Sequence, residues 1–301
     1  MVDIATKHYI GRFAPSPTGP LHFGSLVAAL ASFLDARKQR GTWRVRMEDI
    51  DPPREEPGAS AAILTALEAH GLHWDGEVRY QSQRLDVYAS VIDDLARNGQ
   101  TFHCTCSRQM LRASHVYPGT CRDRASPAAE PTAVRIKTIA TEIAFDDLVQ
   151  GPQHILLKDD VGDFIIRRKD KLIAYQLAVA VDDLDQGISR VVRGIDLMDS
   201  SFKQIYIMQL LGNAPPVYAH IPVVTDPQGI KLSKQTHAPA LDCSTPGQNL
   251  CAALAALGHQ PPAELYPGDP VSILAWAIDA WWLAGVPRVA SITKEQSGHP
   301  E

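Results

Sequence analysis

A histidine two residues ahead of a glycine, in Pro20-Leu21-His22-Phe23-Gly24-Ser25, opens a stretch whose apolar residues repeat at helical spacing through Leu34. A helix starting there presents unpaired backbone N–H groups and the positive end of its dipole, which together make a seat for phosphate. Gly24 leaves no side chain where a nucleotide must approach the backbone, Ser25 adds a hydroxyl, and His22 supplies an imidazole that can donate to a phosphate oxygen. About two hundred residues later, Lys231-Leu232-Ser233-Lys234-Gln235 sets two lysines three apart, in a loop behind the apolar run His220-Ile221-Pro222-Val223-Val224-Thr225. Two mobile cations on such a loop can swing onto a triphosphate. Taken singly, the first string can be a plain helix cap and the second plain solvated surface; their joint order, separation and flanks carry the nucleotide reading.

A second chemistry lies between them. Cys104, Cys106 and Cys121 gather three thiols within 18 residues of turn-rich chain, a nucleus for tetrahedral Zn²⁺. Three thiols leave one ligand place, for which His103 and His115 are the chemically ordinary candidates. Cys243 and Cys251 have no ligand-type neighbours and are expected to pack. Five cysteines in a chain with no targeting or membrane segment point to a cytoplasmic protein without a disulfide framework.

The elements that must position these groups follow from periodicity. Strand and helix signals alternate: Tyr9 to Phe13 extended, Gly24 to Arg40 helical, Trp43 to Met47 extended, Ala59 to His70 and Leu85 to Arg97 helical, with Gly41, Gly71 and Gly99 where helix C-caps fall. Alternation resumes with a helix at Tyr175 to Leu184, a strand at Ile188 to Arg193, a helix at Ser200 to Leu211 and a strand at Tyr218 to Val224. Such a pattern predicts an α/β fold with a parallel sheet, whose ligands bind beyond the carboxyl ends of the strands. The domain expectation is a first half of the catalytic domain at 1–101, an inserted subdomain at 102–172 with short β-like runs such as Thr132 to Thr138, a second half at 173–238, and a helical appendage at 239–301.

The 301 residues carry 29 Lys and Arg against 34 Asp and Glu, a net charge of −5 that argues against a protein whose main task is gripping nucleic-acid backbone. A local basic face is compatible with it, and Arg37, Lys38, Arg40, Arg44 and Arg46 offer one candidate run. Hydrophobic content of 45% describes a globular chain, with no protein partner implied.

With both nucleotide strings on this scaffold, the sequence resembles the class I aminoacyl-tRNA synthetases, and is similar to glutamyl-tRNA synthetases along their whole catalytic domain. Four ordered blocks carry the likeness: Gly11 to Gly19, Arg46-Met47-Glu48-Asp49-Ile50-Asp51, Val181-Asp182-Asp183 through Arg193-Gly194, and His220-Ile221-Pro222 running into the lysine loop. Only 66 residues follow Gln235, fewer than an anticodon-reading domain would want. That shortness, with His22 to Leu26 and Glu48 to Glu55, looks like the truncated paralogues known as glutamyl-queuosine tRNA(Asp) synthetases. Gln235 departs from the family pattern, which often has Ser or Arg there.

The resemblance implies a Rossmann-like catalytic domain with an inserted α+β zinc-containing subdomain, a short C-terminal helical appendage and no anticodon-binding domain. It implies an ATP-dependent ligase that makes glutamyl-adenylate without tRNA and attaches glutamate to the queuosine base of tRNA(Asp), where a hydroxyl of the modified base is the nucleophile. His22, Lys231 and Lys234 would be catalytic, and with Gly24, Ser25 and Ser233 would bind ATP and its Mg²⁺. Arg12, Phe13, Ala14, Pro15, Ser16, Glu48, Tyr175 and Arg193 would form the L-glutamate pocket, the arginines offering planar forks to carboxylates and Glu48 an anion to the ammonium. One Zn²⁺ per chain would sit on Cys104, Cys106, Tyr117 and Cys121, the family placing Tyr117 in the fourth position. Alternative readings are a synthetase charging the 3′ end of tRNA(Glu), a nucleotidyltransferase of the same superfamily, and a non-enzymatic RNA-binding paralogue; Arg12, Glu48 and Arg193 favour an amino-acid substrate, and His22 with the lysines favours catalysis.

Overall fold

Residues Ile10–Phe13 and Thr42–Met47 alternate so that Phe13, Trp43, Val45 and Met47 enter one apolar core while Arg12, Arg44 and Arg46 take the opposite face, the period-two signature of strands. In the computed structural model, which describes residues 8–112, 114–124, 131–232, 239–266 and 268–293, these form β1 (Ile10–Phe13) and β2 (Thr42–Met47). They pair in parallel with Phe13 opposite Val45, and α1 (Phe23–Lys38) makes the crossover between them. Helix α2 (Ala59–Ala69) leads to β3 (Arg79–Tyr80), which pairs with β2, and α3 (Leu85–Arg97) follows.

The cap of α1 departs from expectation. Arg40, not Gly41, takes the left-handed turn (φ 50°), a conformation that costs an L-residue about 1 kcal/mol. Gly41 is instead needed where the chain crosses Tyr9, because a β-carbon there would stand 2.6 Å from the Tyr9 carbonyl oxygen. Gly71 and Gly99 do adopt positive φ after α2 and α3.

From β4 (Thr101–Cys104) the pairing turns antiparallel. Strands β4, β5 (Ala133–Ile136) and β8 (Ile165–Arg167) form one sheet, and β6 (Glu142–Asp147) folds on β7 (Gly151–Leu156) as a hairpin. Parallel structure returns with α4 (Tyr175–Asp185), β9 (Arg190–Gly194), α5 (Met198–Leu210) and β10 (Val217–Ile221), β9 and β10 pairing in parallel. The Ser189 N–H donates to the Ile10 carbonyl (2.9 Å) and the Ile10 N–H to Ser189 Oγ (2.9 Å), so the pieces β3-β2-β1 and β9-β10 meet edge to edge. The single strand expected over Tyr218 to Val224 is two. Pro222 has no N–H for a ladder, and beyond it β11 (Val223–Thr225) pairs with a later strand rather than with β9.

Two cores flank this sheet. One joins α1, α2, β1 and β2 to α6 (Pro246–Ala256) and α7 (Pro270–Ala280), through Leu26, Leu30, Leu34, Leu254 and Ile273. The other joins α3, α4 and α5 to Val134, Ile136, Ile143 and Ile166 of the antiparallel strands. Each fully buried aliphatic side chain contributes roughly 1.5–3 kcal/mol. Buried Asp35 in α1 ties the appendage to the sheet, accepting from Tyr9 Oη (2.7 Å), Arg190 Nη1 (3.3 Å) and Trp281 Nε1 (3.3 Å). Strand β12 (Ser291–Thr293) closes the described chain on β11.

Cys251 packs in the first core, whereas Cys243, expected to pack, is exposed. The early basic run does not form one face: Arg37 pairs with Asp75 at 2.6 Å and Arg46 is fully buried, which leaves only Lys38 and Arg40 exposed among the five. No helix among the described residues is long and apolar enough to cross a membrane.

Candidate active site

The carboxyl ends of β2, β1 and β9 carry Arg46, Arg12 and Arg193, and α4 answers with two adjacent acids. Asp183 accepts from Arg12 Nε (3.2 Å) and Nη2 (3.4 Å) and from Arg46 Nη1 (2.7 Å), while Arg46 also reaches Gln186 Oε1 at 2.8 Å. Burial raises the Asp183 pKa, but the two guanidiniums outweigh it and hold the carboxyl below its usual range. Asp182 accepts from Gln81, Arg84 and Tyr88 at 2.7–2.9 Å, which locks α4 against α3 and the turn before it. Arg12 is thus an immobilised cation with its anion behind it. Arg46 and Asp183, which spacing alone did not single out as a pair, do the immobilising.

Arg193 is different. It is 5% exposed, and among the described residues no carboxylate forms an ion pair with it. Neutral groups hold it: Nη2 donates to Ser201 Oγ (2.7 Å) and Gln204 Oε1 (2.9 Å), Nε donates to His220 Nε2 (3.2 Å), and the guanidinium stacks 5.4 Å over the Tyr218 ring. Its Nη1 is buried with no hydrogen-bond partner among the described residues. A buried cation with an unsatisfied donor at a cavity wall is energetically costly unless an anion enters. His220, Ser201 and Gln204 are partners of Arg193 that sequence reasoning did not assign; the strand register, which sets His220 opposite Arg193, was the missing signal.

Arg193 lines a cavity of about 440 Å³ together with Arg12, Phe13, Ala14, Pro15, Ser16 and Tyr175. The wall of the same cavity continues through His22, Gly24, Ser25, Asp196 and Lys231. Residues expected for an amino acid and residues expected for a nucleotide therefore share one space. Glu48 opens instead on an adjoining cavity of about 310 Å³, which meets the first at Ser16, Thr18 and Tyr175. Its backbone N–H donates to the Pro15 carbonyl (2.9 Å), fixing the end of β2 to the loop after β1. Burial pushes the Glu48 carboxyl up to about 7 despite Arg46 and Arg12 nearby. The Tyr175 hydroxyl, also raised by burial and by Glu48, is a neutral donor at the junction.

At the nucleotide end His22 is the N-cap of α1. Its Nδ1 accepts from the Ser25 N–H (3.2 Å), so the ring is an Nε2–H tautomer, and Nε2 lies 2.9 Å from Ser25 Oγ. The cap leaves the imidazole proton on Nε2, where Ser25 Oγ accepts it and an incoming phosphate oxygen would have to take that place. Lys231 stands on a hairpin after β11 with Nζ 2.5 Å from Asp196 Oδ2, a contact that an incoming phosphate would compete for. The chain on either side of the lysine loop touches the start of α1: Leu232 lies against Gly24, and Ala240 forms a β-bridge with His22. Ser233 and Lys234 lie outside the described residues.

In the antiparallel segment Cys104, Cys106 and Cys121 are buried with their Sγ atoms all within 4.8 Å of one another. The Cys106–Cys121 separation is 3.6 Å, close to the edge of about 3.8 Å that a tetrahedron of zinc–thiolate bonds requires. The Tyr117 hydroxyl is 3.5 Å from Cys104 Sγ and 3.7 Å from Cys106 Sγ. Strand alternation puts His103 on the opposite, exposed face of β4, with Nδ1 2.7 Å from Thr132 Oγ1, and His115 is exposed. Burial raises the Cys121 thiol, but the Thr105 N–H and the Tyr117 hydroxyl outweigh it and bring it to about 6, so this sulfur is readily a thiolate. The donor set can hold a metal ion.

The family tRNA synthetases class I (E and Q), catalytic domain, matches residues 10–245. The glutamyl-Q tRNA(Asp) synthetase of Pseudomonas aeruginosa is 49% identical over 292 residues, 97% of this chain and 99% of that protein. The enzyme of the same name from Pseudomonas paraeruginosa is 50% identical over 291 residues, 96% and 99% of the two chains. Among solved structures, a glutamate tRNA ligase from Elizabethkingia meningosepticum in complex with its amino acid superposes with a TM-score of 0.79 at 22% identity, covering 95% of this chain and 67% of that one. At that identity the likeness speaks for the fold.

Proposed function

The chain belongs to the class I tRNA synthetases of the glutamate and glutamine group, and from that membership we propose that it activates L-glutamate with ATP, without tRNA, and passes glutamate to queuosine in the anticodon of tRNA(Asp). The observation that carries this is the single cavity shared by Arg193, with its unpartnered buried donor, and by His22 and Lys231 at the start of α1. Relatives of the same length and near 50% identity favour queuosine as acceptor over the 3′ end of tRNA(Glu).

In this reading the glutamate α-carboxylate attacks the α-phosphorus of ATP in line, the mixed anhydride forms and pyrophosphate leaves. The protein needs no nucleophile of its own, only positioning and charge neutralisation. Arg193 receives a substrate carboxylate on its vacant Nη1, Arg12 lies beside it, and Glu48 takes the ammonium. His22 donates Nε2–H to phosphate while Lys231 exchanges Asp196 for a phosphate oxygen, with Lys234 and Ser233 completing the loop's contribution. A hydroxyl of queuosine then attacks the acyl carbon, loses its proton and expels AMP.

Two ions belong to the proposal. Mg²⁺ would enter with ATP and offset phosphate charge. Zn²⁺ would be held by Cys104, Cys106, Cys121 and Tyr117, supplying a structural crosslink for a segment whose own local core is Phe102 and the three cysteines. A cytoplasmic setting, where free thiols and tRNA coexist, fits both.

Glutamate-dependent exchange of pyrophosphate into ATP, run without RNA, tests activation; a flat result overturns it. Labelled glutamate offered with tRNA(Asp) bearing or lacking queuosine, and with tRNA(Glu), decides the acceptor. Arg193→Lys keeps the charge but loses the fork, and should raise the glutamate KM about 100-fold, on the order of 2.7 kcal/mol, with the ATP KM little changed.

A further inference from the structure

Behind Arg193 runs a buried chain of hydrogen bonds that no part of the activation chemistry uses. Register places His220 of β10 directly opposite Arg193 of β9, and the hairpin β6–β7 brings Asp147 to the far side of the imidazole. His220 Nδ1 is 2.6 Å from Asp147 Oδ2, and its Nε2 is 3.2 Å from Arg193 Nε. Arg193 Nε can only donate, so His220 Nε2 must be the acceptor and Nδ1 must carry the proton. Asp147 enforces that tautomer. It is 3% exposed, and it also accepts from the backbone N–H of His220 (3.0 and 3.1 Å), Val149 (3.0 Å) and Gln150 (2.9 Å). The ring is clamped besides, stacked on Tyr218 at 5.8 Å with Gln150 Nε2 donating to the His220 carbonyl at 2.8 Å.

We propose that Asp147 and His220 are positioning residues for the amino-acid pocket: Asp147 sets the His220 tautomer, and His220 sets the rotation of the Arg193 guanidinium so that Nη1 faces the substrate carboxylate. The inference rests on the proposed role of Arg193 in binding glutamate. It gives the inserted hairpin a second duty, because the residue at the end of β6 then tunes an arginine on the parallel sheet. Burial keeps His220 neutral by lowering its pKa more than Asp147 raises it, so no second cation faces Arg193.

Asp147→Asn is the sharp test. The amide oxygen can keep the Val149 and Gln150 N–H groups, which leaves its NH₂ facing His220 Nδ1 and forces the proton to Nε2, where it confronts Arg193 Nε–H and can be accepted only by Ser201 Oγ, 3.0 Å away, at the cost of the Arg193 Nε bond. A carboxylate that fixes a histidine tautomer is known to matter in this way when it is changed to the amide. The expected result is a glutamate KM raised roughly 10- to 100-fold, with the ATP KM within about twofold and a ¹⁵N spectrum showing His220 moved from the Nδ1–H to the Nε2–H form. A flipped tautomer with an unchanged glutamate KM overturns the proposal, as does an equal loss for both substrates.

Should Asp147→Asn not fold, His220→Gln and His220→Leu replace it. Glutamine can accept from Arg193 and donate to Asp147, leucine can do neither, and only the leucine variant should lose glutamate affinity. Equal KM values in the pair refute the relay. If the wild-type protein itself shows no glutamate-dependent exchange, the reading of the pocket fails instead, and the ¹⁵N tautomer shift still reports whether the relay exists.

Discussion

The carbonyl oxygen of Leu232 lies 3.3 Å from the point where a β-carbon on Gly24 would stand, so the lysine hairpin and the first turn of α1 meet backbone to backbone. That approach brings the residue after Lys231 onto the helix that His22 caps, and it depends on a hydrogen where any other residue has a methyl group or more.

Gly24→Ala therefore separates stability from activity. Gly24 does not have a positive φ and sits inside α1, where alanine is the better helix former, so thermal unfolding should be unchanged or slightly higher. The added methyl would crowd both Leu232 and the His22 ring. Pyrophosphate exchange should fall about tenfold in kcat/KM for ATP, roughly 1.4 kcal/mol, with the glutamate KM nearly constant. A drop in melting temperature matching the loss of activity would contradict this division.

In the proposed pocket, Glu48 should make glutamate binding pH-dependent. Its carboxyl, pushed by burial to about 7 from an ordinary 4.5, must ionise to accept an ammonium. The glutamate KM should rise as pH falls below 7, approaching tenfold per pH unit, and Glu48→Gln should flatten the profile while raising KM throughout. The sign for stability follows from the raised pKa: this group's contribution is fully present below pH 4.5 and is lost as pH rises through 7. The thermal shift that glutamate confers should accordingly grow between pH 5 and 7, measured by differential scanning fluorimetry.

Asp183→Asn tests the clamp on Arg12 and Arg46. It removes the anion between two cations that are themselves almost wholly buried, and a loss of about 3–5 kcal/mol is expected by urea unfolding. Because the Asp183 pKa is depressed in the folded state, its stabilisation is present above the ordinary carboxylate range and lost as pH falls below it. The urea midpoint of the wild type should therefore fall on acidification more steeply than that of the variant.

Metal content distinguishes the candidate fourth ligands. Elemental analysis of the purified protein should give about one zinc per chain, Cys104→Ser and Cys121→Ser should lose it, and His103→Ala should retain it. Tyr117→Phe should bind zinc but release it faster to a chelator. Retention unaltered by Tyr117→Phe would remove the phenol from the ligand set.

Much of the site was legible in the order of residues, because its parts are local signals. A cap residue and a glycine mark a helix start, alternation marks which face of a strand an arginine takes, and thiol spacing marks a metal nucleus. These depend on neighbours within a turn or a strand, and such signals singled out His22, Gly24, Lys231 and the three cysteines, while Arg12 and Arg193 came from the family resemblance. What they could not give was company. That His22 and Lys231 face one cavity depends on the joining of two half-sheets at Ile10 and Ser189. That Arg12 has an anion behind it while Arg193, among the described residues, is held by neutral groups depends on which residues of α4, α5 and β10 are buried beside them. Gly41 carries the same lesson: its spacing suggested a cap, and the crossing of Tyr9 gave it another use. Propensity and periodicity are written along the chain, so the sequence by itself determined the elements and the chemical kinds of residue. Pairing between buried polar groups is set only when distant segments share a dry interior, and tertiary structure alone decided which cations are already satisfied and which still await an anion.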